Sequence, residues 1–161
     1  MIYIGIGSNL KSKEFKSPYD VCLKAIDYLK YFFELNKISS FYKSEPIPIS
    51  DQPHYINAVL EIISKNNEND ILRILHKTET KFGRIRLRKN ESRILDLDLI
   101  DYNGLIINNT DIIIPHPRMH LRKFVLYPLY EIAPDWIHPV FNQNIPLLLK
   151  NIKDDQKISK L

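Results

Sequence analysis

Asp96 and Asp98 stand two residues apart, interleaved with Leu95, Leu97 and Leu99. On a strand, alternate side chains point to opposite faces, so the leucines share one face and both carboxylates the other. A rise of about 3.3 Å per residue separates the two carboxylates by about 6.6 Å where they leave the backbone. Like charges so placed repel unless a cation lies between them. Magnesium takes hard oxygen ligands, commonly one or two carboxylates completed by water and substrate phosphates. A strand with a solvated acidic face shows the same short pattern, so the pair alone leaves both readings open.

The flanking residues favour the metal. Arg84, Arg86, Arg88, Lys89 and Arg93 put five cations into the ten residues 84–93, just before the carboxylates. A solvated basic loop or a structural salt bridge would also account for them. A nucleoside triphosphate carrying magnesium needs both signs together: carboxylates for the metal, guanidinium forks for phosphate oxygens. Only four glycines occur, and no GxxxxGK[ST] sequence, so this is not a P-loop and phosphate binding falls to side chains. Gly5-x-Gly7-x-x-Leu10 lacks the third glycine of a dinucleotide fingerprint.

Tyr55 and Asn57 are also two apart, hence on one face of a strand. A ring can stack on a flat heterocycle and an amide can read its edge. A core tyrosine beside a turn asparagine is the plainer alternative. His116 lies between Pro115 and Pro117 in a stiff loop, where a histidine is more often structural than catalytic.

The elements that must position these residues follow from periodicity. Residues 2–6 form an apolar strand broken by Gly7-Ser8-Asn9. Residues 19–34 place Val21, Ala25, Tyr28, Leu29 and Phe32 at helical spacing. A strand over 37–44 leads to a loop over 45–53, which holds three prolines. A strand follows over 55–64, then a helix over 69–82 with Asn69 as N-cap and Gly83 at its end. A strand over 94–102 precedes Asn103-Gly104, a hairpin signal leading into Leu105-Ile106-Ile107. A third helix over 121–132 is interrupted by Pro128, and the tail from Gln143 is polar with one apolar patch, left open between packing on the sheet and hanging free. The order strand, helix, strand, strand, helix, strand predicts an α+β fold: a ferredoxin-like split βαβ arrangement, an antiparallel sheet with helices on one face. All of 1–161 reads as one domain.

Composition narrows the function classes. Of 161 residues, 44% are hydrophobic and 26% charged, which excludes a disordered chain. The lone Cys22 excludes an internal disulfide and a cysteine-based zinc site, and fits a reducing cytoplasm. No apolar run reaches the length of a membrane span, and the N-terminus does not read as a signal peptide. The net charge of +4 suits an anionic partner. No RNP-type aromatic pattern supports RNA, and carboxylates beside the basic run would repel a nucleic-acid phosphate.

Four blocks, in order, carry a resemblance to a known family: Gly5-Ile6-Gly7-Ser8-Asn9-Leu10, the stretch 39–57, the run from Arg84 to Asp98, and the stretch 115–135. With them the chain resembles the 6-hydroxymethyl-7,8-dihydropterin pyrophosphokinases of folate biosynthesis. The resemblance implies a ferredoxin-like fold and transfer of the β,γ-diphosphate of ATP to the pterin hydroxymethyl oxygen, releasing AMP. It implies that Asp96 and Asp98 hold two magnesium ions, and that Arg84 and Arg93 contact the phosphates as catalytic groups. His116 and Arg122 would bind ATP phosphates, with Glu79 at the nucleotide site. Tyr55 and Phe124 would sandwich the pterin, with Asn57 on its edge and backbone near Ser44 and Ile47 completing the pocket. Residues 9–17, 44–54 and 84–93 would be loops that close over the substrates. The partners implied are these two small molecules, with no nucleic acid, no membrane and no obligate protein partner. Asn90, Glu91 and Pro117 depart from the family's pattern, where some members carry tryptophan, a small residue and tyrosine.

Overall fold

Isoleucines at positions 2, 4 and 6 build β1 (Ile2–Ser8), an interior strand of the sheet. The computed structural model describes residues 1–83, 94–153 and 155–161. The basic run 84–93, with Arg84, Asn90, Glu91 and Arg93, lies outside the described residues. Helix α1 (Pro18–Leu29) starts at Ser17, whose hydroxyl accepts from the Asp20 N–H, with proline at the first helical position. Strands β2 (Glu34–Ile38), β3 (Tyr42–Ser44) and β4 (Tyr55–Ile63) follow, then α2 (Glu68–Lys81), β5 (Asp96–Tyr102), β6 (Ile107–Asn108) and β7 (Ile113–Ile114). After a 3-10 turn (Met119–Leu121) come α3 (Lys123–Ile132), α4 (Ile145–Asn151) and β8 (Ile158–Lys160).

Among the described residues the main sheet runs β5-β1-β4-β3-β8, with β2 also on β4, and every pairing is antiparallel. Both faces are covered, not one. Ile2, Ile4, Ile6, Leu60, Leu97 and Leu99 pack against Val21, Ile26, Ile71 and Leu75 of α1 and α2. Tyr3, Val59 and Ile100 pack on the opposite side against Val125, Leu126 and Leu129 of α3, with Ile145 and Leu148 of α4. A second apolar stripe on the sheet, shorter than the first, is what the one-sided expectation missed.

Several boundaries differ from the sequence expectation. The first helix ends at Leu29, not at residue 34, because the backbone tightens so that both Phe32 and Phe33 donate to the Leu29 carbonyl. Phe33 then turns into the core while Phe32 faces solvent. The strand expected over 37–44 is two strands. At the break, the Ser39 hydroxyl accepts from the Val59 N–H and takes the place of a ladder bond. The second helix is capped by Asn67, not Asn69, whose amide oxygen accepts from the Asp70 N–H. Helix α3 runs through Pro128, buried in its second turn; the bond it forgoes would have ended on the Phe124 carbonyl.

Asn103 and Gly104 do make a tight turn with positive φ at both residues, closed by the Leu105 N–H on the Tyr102 carbonyl. The strand beyond it pairs with β7 rather than back on β5. Asn103 is instead tied to Met1 at the start of β1: its N–H donates to the Met1 carbonyl and its amide oxygen accepts from the terminal amine. The tail does not hang free. Its apolar patch is α4, whose Ile145 and Leu148 are buried, and its end is β8, paired with β3.

Candidate active site

The face that carries the two carboxylates is stripped of side chains at its centre. In β1, Ile4 and Ile6 point toward α1 and α2, so Gly5 and Gly7 point the other way. The register sets Gly7 opposite both Asn57 of β4 and Asp96 of β5. Gly5 lies opposite Val59 and Asp98. Two interstrand steps of about 4.8 Å therefore put roughly 10 Å between the backbones bearing Asn57 and Asp96, across a bare floor. Helix α3 covers the same face only as far as Ile100, which leaves an open cleft.

The cleft has two chemically different walls. On one side, Asp96 and Asp98 project into it while Leu95, Leu97 and Leu99 are buried beneath. Arg122 Nη1 lies 3.6 Å from Asp98 Oδ2, and His116 Nε2 lies 3.8 Å from the same oxygen. Burial, helped by the positive charges of Arg122 and Arg118, pushes the His116 ring down to about 4, against a smaller opposite pull from Asp96. The ring is therefore neutral near pH 7. Its Nδ1 accepts from the Arg118 N–H at 3.2 Å, so the ring proton sits on Nε2 and faces Asp98.

On the other side, Tyr55, Asn57 and Phe124 line the cleft with the loop residues Ile47 and Pro48. Asn57 is buried, and its amide donates to the Ser44 hydroxyl at 2.8 Å. That bond fixes which way the amide faces. The Phe124 ring carries the Arg122 guanidinium 5.4 Å above its centre. Arg122 thus joins the two walls, with one contact to a carboxylate and one to an aromatic ring. The proline-rich loop is tied to the end of β1: Asn9 donates to the Pro53 carbonyl at 3.2 Å and to Gln52 at 3.4 Å.

Asp96, Asp98, His116, Arg122, Tyr55, Asn57, Phe124 and Ile47 are thus brought together, and Ser44 stands directly behind Asn57. Arg84 and Arg93 lie outside the described residues. Glu79 sits apart from the cleft, buried in α2, where its carboxylate accepts from the Leu97 N–H at 2.8 Å. Glu79→Ala is expected to lower the unfolding free energy by about 2 kcal/mol, because it strands a buried N–H donor. Glu79→Gln keeps an acceptor and should lose much less in urea titrations; equal losses would show that this bond is not what Glu79 contributes. Unforeseen from the sequence were the glycine floor and the cleft positions of Arg118, Glu45 and Gln52. The alternation of isoleucine and glycine along β1 was the available signal for the floor.

Two carboxylates that share a cleft with positive groups are a donor set of hard oxygens that fits magnesium with its remaining positions left to substrate oxygens. Among the described residues no group of three or more His, Cys, Asp and Glu is arranged to hold a metal by protein ligands alone.

Residues 3–134 match the family model for 7,8-dihydro-6-hydroxymethylpterin-pyrophosphokinase. The chain belongs to this family. A Haemophilus influenzae protein named 2-amino-4-hydroxy-6-hydroxymethyldihydropteridine pyrophosphokinase is 42% identical over 156 residues, 97% of this chain and 95% of that one. The Aquifex aeolicus protein of the same name is 32% identical over 142 residues, 88% of this chain and 86% of its own length. A longer folic acid synthesis protein of Dictyostelium discoideum is 34% identical over 142 residues, which are 88% of this chain and 21% of that protein. All four blocks read from the sequence contribute to the stretch matched by the family model, and the cleft is built from those blocks.

Proposed function

We propose that this pyrophosphokinase family member transfers the diphosphate of ATP to the hydroxymethyl group of 6-hydroxymethyl-7,8-dihydropterin in the cleft floored by Gly5 and Gly7, releasing AMP, as a step of folate biosynthesis. The observation that carries this reading is the register of three strands, which sets a heterocycle-reading amide and a carboxylate pair on either side of bare backbone. A flat two-ring substrate fits that floor with its edge at Asn57 and its substituent directed toward Asp96 and Asp98. Tyr55 and Phe124 supply the stacking faces. Ser44 holds the Asn57 amide in one orientation, so the edge of the ring is read by a fixed donor and acceptor.

In the transfer, the hydroxymethyl oxygen bonds to the β-phosphorus, the bond from that phosphorus to the oxygen bridging to the α-phosphate breaks, and the hydroxyl proton passes to solvent. Asp96 and Asp98 would hold magnesium, two ions in the family's pattern. When bound, the metal neutralises triphosphate charge and lowers the pKa of the attacking hydroxyl. Arg122, placed against Asp98, offers a guanidinium to the phosphates. Neutral His116 offers an Nε2–H donor at the same spot without adding charge. Arg84 and Arg93 are read as further phosphate ligands, and Glu79 as a support behind β5 at the nucleotide end. Closure of the loops over the substrates would exclude water that could otherwise accept the diphosphate.

The fold is read as ferredoxin-like. Support comes from treating β2 and β3 as one interrupted strand, which gives the order β5-β1-β4-β2/β3 with α1 and α2 on one face. The full 161 residues are read as one pyrophosphokinase domain, since β8 pairs with β3 at the edge of the main sheet. No helix among the described residues is long and apolar enough to cross a membrane. A cytoplasmic location suits a buried free cysteine and a supply of ATP.

The test is an AMP-release assay with ATP, magnesium and 6-hydroxymethyl-7,8-dihydropterin, each omitted in turn. AMP forming only when all three are present is the expected result. ADP in place of AMP would replace diphosphate transfer by transfer of the terminal phosphoryl group alone.

A further inference from the structure

Helix α3 begins at the residue that works hardest in the cleft, and that creates a problem at its first turn. Arg122 is the N-cap residue and makes no side-chain cap hydrogen bond. An arginine has no acceptor to offer, and this one is engaged with Asp98 and Phe124. The first helical N–H groups have no partners inside a helix and need acceptors from elsewhere. The acceptor comes from 33 residues downstream: the Lys123 N–H donates to Gln156 Oε1 at 2.9 Å. The other end of the same amide acts on the opposite side of Arg122, where Gln156 Nε2 donates to the Leu121 carbonyl at 2.8 Å. One side chain thus grips the backbone immediately before and immediately after Arg122.

The segment that bears Gln156 is itself anchored to the other wall of the cleft. The Glu45 N–H donates to the Lys157 carbonyl at 3.4 Å, and Ile158 pairs with Ser44, the residue that orients Asn57. Lys160 reaches Glu131 of α3 at 3.2 Å. The chain's last residues therefore form a strut outside the cleft. It joins the start of α3, which carries Arg122 and Phe124, to Ser44 and the proline-rich loop.

Resting on the transfer reaction proposed above, we infer that Gln156 is a positioning residue: its amide clamps the Leu121 and Lys123 backbone and so sets Arg122 and Phe124 in register with Asp98 and the pterin face. It touches no substrate. Its action runs through Arg122 and Phe124, both of which face the cleft.

Three variants test this. Gln156→Ala removes both bonds. Gln156→Glu keeps an acceptor for the Lys123 N–H, where a negative charge at a helix start is favourable, but cannot donate to the Leu121 carbonyl. Ser159→Ala alters an exposed side chain in the same strut and leaves the clamp alone. Gln156→Ala should lower kcat/KM about tenfold, the scale of two hydrogen bonds. Gln156→Glu should fall between it and wild type, and Ser159→Ala should match wild type. By NMR hydrogen exchange, the Lys123 amide should exchange at least tenfold faster in Gln156→Ala and remain protected in Gln156→Glu, with the sheet amides unchanged.

A Gln156→Ala enzyme within twofold of wild type would overturn the inference. So would uniformly faster exchange across the sheet with no loss of kcat/KM below the melting temperature, which marks a merely structural role. Should Gln156→Ala not fold, the Gln156→Glu comparison decides by the same two readings. Wild-type AMP release is measured alongside; its absence would overturn the reaction, whereas a clamp without effect on an active enzyme would overturn the positioning role alone.

Discussion

Asp96→Asn and Asp98→Asn should each lower AMP release by about a thousandfold while leaving the protein folded. The magnitude follows from removing one of two anionic ligands for the metal that offsets triphosphate charge, roughly 4 kcal/mol of barrier. Stability should respond in the other direction or hardly at all. The two carboxylates share one face of β5, so neutralising either one removes a like-charge neighbour of the other. Neutralising Asp98 also removes its ion pair with Arg122, 3.6 Å away. A partly exposed pair of this kind contributes up to about 1 kcal/mol, so Asp98→Asn should melt within about 4 °C of wild type. Turnover titrated against magnesium separates the causes: both variants should need more magnesium to reach their residual rate. If either variant kept turnover within tenfold of wild type at the same magnesium concentration, the carboxylate pair would not be the metal site.

Much of this site could be read from residue types because strands impose a period of two. Leu95, Leu97 and Leu99 fix which way Asp96 and Asp98 must point, and the structure has that alternation. Tyr55 and Asn57 follow the same rule on β4. What could not be read was how the strands align. Sequence spacing gives no information about which residue of β1 faces Asp96, and the glycine floor exists only through that register. Three of the four α-helices among the described residues were legible, α4 was not, and the placement of none was. Periodicity shows that a helix has an apolar side, not which side of the sheet receives it, so α3 and α4 escaped the one-faced expectation. The cap of α2 shows a local limit: Asn67 and Asn69 are equally good capping residues, and only the backbone chooses between them. The strut of 155–160 was illegible for a different reason. Its bonds run from a glutamine side chain to backbone groups, which any sequence offers, across 33 residues.

Gly7→Ala should lower kcat/KM for the pterin about a hundredfold and leave the KM for ATP within about threefold. Backbone freedom is not the issue, since Gly7 lies in a regular strand and its φ is not positive. Space is. A Cβ at Gly7 would meet Asn57 Oδ1 at 2.9 Å, closer than such atoms approach. Asn57 cannot simply swing aside, because it is buried and its amide holds Ser44 at 2.8 Å. Accommodating the methyl group therefore means rotating the amide that reads the ring edge, breaking its bond to Ser44, or lifting the pterin off the floor. Each misplaces the hydroxymethyl group relative to the phosphates, and a shift on the order of 1 Å costs about a hundredfold in rate. Gly5→Ala is the matched comparison. There the new Cβ meets Ile100 Cδ1 at 3.2 Å, a contact that needs the isoleucine to give by only a few tenths of an ångström. Its expected loss is less than about fivefold, since the methyl meets apolar packing and no hydrogen bond. The two alanines differ by one strand period on the same face, so general damage to β1 would affect them alike. Equal losses for the two, or a Gly7→Ala enzyme with an unchanged pterin KM, would mean that the pterin does not lie over Gly7 against Asn57.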